Sequence, residues 1–79
     1  MTTTHRPLHK IATEILRLWK NPYFGAMPYI AAMEQLETIQ DWYYSDKAES
    51  IVLYFLSNAT RWKGPDAVRI KAELKAMLK

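Results

Sequence analysis

Two clusters of backbone breakers limit what this chain can build. Pro22, Gly25 and Pro28 fall within residues 21–29, and Gly64-Pro65 within residues 63–66, so no long helix or central strand can run through either stretch. Beside these breaks, apolar residues recur at three- and four-residue steps. Leu8, Ile11, Ile15, Leu18 and Trp19 form one such stripe, opposite Lys10, Thr13, Glu14 and Arg17, which is the pattern of an amphipathic helix. Pro7 suits its first turn, and Asn21-Pro22 should end it, because a residue before proline is biased away from helical dihedrals. Residues 21–29 then read as a packed connection, its prolines and glycine interleaved with Tyr23, Phe24, Met27 and Tyr29.

Pro28 can open a second helix. Its stripe is Tyr29, Ala32, Met33, Leu36, Ile39 and Tyr43, opposite Glu34, Glu37 and Asp41, and its end falls near Asp41-Trp42-Tyr43-Tyr44. Ser45 or Asp46 is a candidate N-cap for a third helix, and Asp46 with Glu49 has capping-box spacing. In that helix Ala48, Ile51, Val52, Phe55, Ala59 and Trp62 share a stripe that Leu53, Tyr54 and Leu56 widen until most sides are apolar. Residues 51–56 alone could be a strand, but the cap before them and the helical period after them favour helix. This should be the central helix. Pro65 and Asp66 begin a last one, with Ala67, Ile70, Leu74, Met77 and Leu78 inward and Arg69, Lys71, Lys75 and Lys79 outward.

The expected fold is therefore all-α, a single-domain bundle of about four short helices over residues 7–79, with residues 1–6 as a flexible N-terminus. Its expected core is Leu8, Ile11, Ile15, Trp19, Met33, Leu36, Ile51, Val52, Phe55, Ala59, Trp62, Ile70 and Leu74. At 79 residues, with 49% hydrophobic and 24% charged side chains, the chain is globular in composition, though small enough for a thin core. Cysteine is absent, which removes thiolate chemistry and fits a reducing compartment. With no signal-peptide pattern at Met1-Thr2-Thr3-Thr4-His5-Arg6 and no apolar run of membrane-spanning length, a cytoplasmic location is expected.

Little in the chain suggests catalysis. His5 and His9 have a metal pair's spacing, but His5 precedes Pro7 and no third ligand stands near, so two solvated histidines are expected. Glu34, Glu37 and Asp41 read as a solvated face, since acid/base work would need burial and a partner group. Ser45, Ser50 and Ser57 lack a histidine and aspartate arrangement, and Gly25 and Gly64 are isolated. A non-enzymatic protein with no cofactor, metal or membrane association is the expectation.

Charge is uneven. Residues 1–20 carry four basic side chains against one acidic, residues 21–60 one against five, and residues 61–79 six against two. Arg61, Lys63, Arg69, Lys71, Lys75 and Lys79 are the candidate nucleic-acid contacts, with Lys10, Arg17 and Lys20 as a second strip; whether the two strips share a face decides that reading. The candidate protein-interaction residues are Tyr23, Phe24, Met27, Tyr29, Trp42 and Tyr44, drawn from an aromatic-rich composition.

The runs Lys20-Asn21-Pro22-Tyr23-Phe24, Ala26-Met27-Pro28-Tyr29, Ser50-Ile51-Val52-Leu53-Tyr54-Phe55-Leu56-Ser57-Asn58-Ala59 and Trp62-Lys63-Gly64 resemble small uncharacterised proteins of phages and Gram-positive bacteria. The resemblance spans residues 9–78 and carries no activity, cofactor or partner. It implies only a context in which small accessory proteins act by binding. The leading functional expectation is a non-catalytic interaction module, self-associating or binding another protein, and the alternative is a DNA- or RNA-binding accessory protein using the last helix.

Overall fold

In the computed structural model, which describes residues 5–79, the chain forms α1 (Leu8–Leu18), a single 3₁₀ turn (Phe24–Ala26), α2 (Met27–Met33), the two-stranded hairpin β1 (Trp42–Tyr43) and β2 (Asp46–Lys47), α3 (Ala48–Ser57) and α4 (Pro65–Met77). Four helices are present, but the hairpin means that the fold is not strictly all-α. The expected N-terminal segment lies mostly outside the described residues. Arg6, its last member, is held by a bidentate hydrogen bond to Glu73 on α4.

The second helix is half as long as the apolar period suggested. It stops at Met33, and residues 34–41 turn irregularly because local polar groups offer the backbone other partners. The Asp41 carboxylate accepts from the amides of Glu37 and Thr38 at 2.9 and 3.0 Å and from the Thr38 hydroxyl. Those bonds, led by the Thr38 amide, hold the Asp41 carboxyl below the usual range. The carbonyls of Leu36 and Glu37 meanwhile accept from the amides of His9 and Leu8, each at 2.9 Å. The first amides of α1 would otherwise lack partners, so the segment after α2 caps α1.

Trp42 and Tyr43 are therefore strand, not helix, pairing antiparallel with Lys47 and Asp46 respectively. The two-residue loop Tyr44-Ser45 places Tyr44 at a positive φ of 55°. Asp46 sits in β2, and no side chain caps the start of α3; the Ala48 amide donates instead to the Asp41 carbonyl. The expected capping box does not form. Because a left-handed conformation costs a non-glycine residue about 1–2 kcal/mol, Tyr44→Gly is expected to raise stability by about 1 kcal/mol, measured by urea unfolding, although it removes a large side chain.

All thirteen expected core residues are buried, joined by Ala12, Ala26, Ile30, Ala32, Ala48, Ala67 and Met77. Ala59 and Trp62 lie beyond the end of α3. They still face inward because successive i→i+3 bonds, Ala59 to Leu56 and Trp62 to Ala59, keep the chain turning in the helical sense. Trp62 stacks on Trp19 with ring centres 5.4 Å apart, and Trp19 meets Phe55 edge-on at 6.5 Å. Helix α2 lies against both α1 and α3, and α4 against α1, so the middle position expected of α3 belongs to α2. The radius of gyration is 11.6 Å, matching the roughly 11.6 Å of a folded domain of this length.

Candidate interaction surface

Most apolar bulk is inside, so the aromatics left outside define the surface. Phe24 is 80% exposed, Tyr44 88%, Trp42 60% and Met27 40%. Helix α2 connects them: Met27 and Ala31 are exposed one turn apart, and exposed Gln35 continues that line into the following turn. The strip runs from Phe24 to a groove of about 560 Å³ lined by Ala31, Glu34, Gln35, Trp42, Tyr43 and Tyr44. The other side of Trp42 carries Lys47, whose ammonium lies 5.6 Å from the ring centre.

The remaining expected contact residues, Tyr23 and Tyr29, are half-buried supports. Tyr23 packs against Phe24, with ring centres 5.1 Å apart, and lies under the Arg61 guanidinium at 4.8 Å. Tyr29 leans on Tyr54 of α3 at 5.5 Å. Tyr54 and Leu53 are about half exposed and were not among the expected contacts; the excess of apolar residues around α3 was their signal. Gly25 is required here. A Cβ on it would stand 2.6 Å from Tyr23 Cε2 and 2.9 Å from Asn58 Oδ1. Gly25→Ala is expected to destabilise the domain by about 1–2 kcal/mol through overpacking, with Tyr23 displaced, as a thermal melt and the Tyr23 ring resonances would record.

The six expected basic contacts differ in their pairing. Arg69 is paired with Glu14 at 3.0 Å and with Asp66 at 3.3 Å. Arg6 also reaches Glu14 at 2.8 Å, and Arg17 of the second strip lies 3.6 Å from it. Three guanidiniums and the carboxylates of Glu14, Asp66 and Glu73 thus form a neutral junction between α1 and α4. Glu14 Oε1 is shut off from water and faces Arg6 outside hydrogen-bond alignment. The charged contacts of the guanidiniums, first that of Arg69 and then that of Arg6, hold the Glu14 carboxyl below its ordinary range. No sequence signal marks Glu14, since its partners Arg6 and Arg69 come from distant parts of the chain.

Of the other five, Arg61 lies over Tyr23, and the four lysines form no ion pair among the described residues. Lys71 donates to the Trp62 carbonyl at 2.7 Å, closing the turn before α4. Its ammonium is less basic than usual because of burial and then the nearby charges of Lys63 and Lys75. Lys63, Lys75 and Lys79 are exposed. Among the described residues no cluster of three or more His, Asp or Glu could hold a metal ion, and no helix is long and apolar enough to cross a membrane. No family model matches the chain, and no curated protein or solved structure matches it either.

Proposed function

We propose that this protein works by binding rather than by catalysis, as an interaction module whose contact surface is the strip from Phe24 along α2 to Trp42 and Tyr44. The observation that carries this reading is the exposure of four large apolar side chains, Phe24, Met27, Trp42 and Tyr44, with Tyr23 packed against Phe24. Tryptophan, tyrosine and arginine are the residues that most often dominate binding energy. Connected apolar surface of this kind is uncommon on proteins that act alone. The resemblance to small phage and Gram-positive proteins points the same way.

The test is a photo-cross-linking amino acid placed at Phe24 in cells, with the same probe at exposed Lys10 as control. A discrete adduct at Phe24 that is absent at Lys10 is expected. Equal labelling at both positions, or none at either, would sink the reading. Nucleic-acid binding has one supporting observation, the exposure of Lys63, Lys75 and Lys79, but the neutral junction at Glu14 removes Arg17 and Arg69 from such a face. If it holds, labelled oligonucleotides bind at low salt and dissociate as salt rises.

A further inference from the structure

We propose that the groove end of this strip is occupied by a second copy of the chain, which presents the outward face of its α4. This rests on the interaction reading above and names the partner. The groove is lined by Ala31 and the rings of Trp42, Tyr43 and Tyr44 together with the polar side chains of Glu34 and Gln35, and its lining is more polar than apolar. Glu34, like Glu37, Asp46 and Glu49 of the same acidic stretch, forms no ion pair among the described residues. A matching surface for it would be a slim helix with small apolar residues in line and ammonium groups at its edge.

Helix α4 has that face. Its inner side is Ala67, Ile70, Leu74 and Met77, which leaves Val68, Ala72 and Ala76 exposed at four-residue steps, with Lys75 and Lys79 exposed beside them. Val68 is 68% exposed. Small side chains let a helix lie close in a groove, and the lysine stems can cover the aromatic rings while their ammonium groups reach Glu34. Trp42 already holds one ammonium over its ring, that of Lys47, so a second from the opposite side is the same chemistry.

The two faces belong to different parts of the molecule: the hairpin packs on α3, whereas α4 packs on α1. No ion pair joins the acids of residues 34–49 to the lysines of α4 within the described residues. The complementarity is thus unsatisfied inside one chain and available between two.

Sedimentation equilibrium over a wide concentration range tests this on the full chain. The mean mass is expected to rise with concentration, and to rise less when ionic strength goes from about 0.01 M to about 1 M, which shortens electrostatic reach from about 30 Å to about 3 Å. Glu34→Lys and Lys75→Glu should each weaken association by roughly tenfold or more, because each brings like charges together. Mixing the two variants should restore it, since the altered groove of one then matches the altered helix of the other. A monomer at every concentration, or association indifferent to both substitutions, overturns the proposal. So does a monomer that binds oligonucleotides and loses them with Lys75→Glu. If the chain stays monomeric while the probe at Phe24 still captures a different protein, the second copy is excluded and the interaction reading stands.

Discussion

Replacing Phe55 by alanine is expected to leave the chain largely unfolded at room temperature. The side chain is fully buried and meets Trp19 edge-on. Removing such a ring costs about 3–5 kcal/mol, part of it transfer free energy and part the cavity left behind. Net stability for a domain of this size is itself a few kcal/mol, at about 0.05–0.1 kcal/mol per residue. Helix α3 also lacks a side-chain cap at its start. The signature to follow is near-ultraviolet circular dichroism, because the stacked Trp19 and Trp62 rings are rigid only while Phe55 supports them. A variant that keeps this signal and melts with the parent would mean that α3 does not lie against Trp19 at all.

The second large effect is expected at Glu14. With alanine there, Arg6, Arg17 and Arg69 lose their shared counterion and face one another across the α1/α4 contact. Exposed ion pairs contribute about 0–1 kcal/mol and fully buried ones lose about 3–5 kcal/mol when one partner is removed. Glu14 is 16% exposed and its partners are 40–67% exposed, so a loss of about 2 kcal/mol in urea unfolding is expected. The pH dependence has a definite sign. Because the folded carboxyl is held below its unfolded value, the stabilisation is complete above an ordinary glutamate pKa of about 4.3 and is lost as pH falls through the folded value. The parent should therefore weaken on acidification below that point, and Glu14→Ala should follow a flatter curve. Parallel curves would show that the three arginines gain nothing from Glu14.

The parts of this fold that follow from local spacing could be read in advance. Leu8, Ile11 and Ile15, or Ile70 and Leu74, recur at the helical period, and Gly64-Pro65 marks the start of α4 where the chain does break. The hairpin was hidden because Ile39 and Tyr43 continue the same period from Leu36, so burial and helix were confounded. What ends α2 is competition: Asp41 caps the turn at Glu37 and Thr38, while the Leu36 and Glu37 carbonyls are drawn away by α1, a contact between residues some thirty positions apart. The aromatic, strand-favouring run Trp42-Tyr43-Tyr44 followed by Ser45-Asp46 was the available clue. The candidate surface was legible in part. Aromatic residues in residues 21–29 suggested contacts, yet only the packing shows that Phe24 stays outside while Tyr29 folds down onto Tyr54. The pairing of Arg69 was hidden for a similar reason, since its partner Glu14 lies on another helix.

The capping of α1 by the segment after α2 has a consequence for how the molecule opens. Amides at a helix start normally face water and exchange their hydrogens freely. Here those of Leu8 and His9 are held by the carbonyls of Glu37 and Leu36, so α1 cannot fray from its beginning without also detaching residues 36–37. Its two leading amides should exchange only through an opening that releases both segments together, which makes the front of α1 one cooperative unit with the segment after α2 rather than a loose terminus.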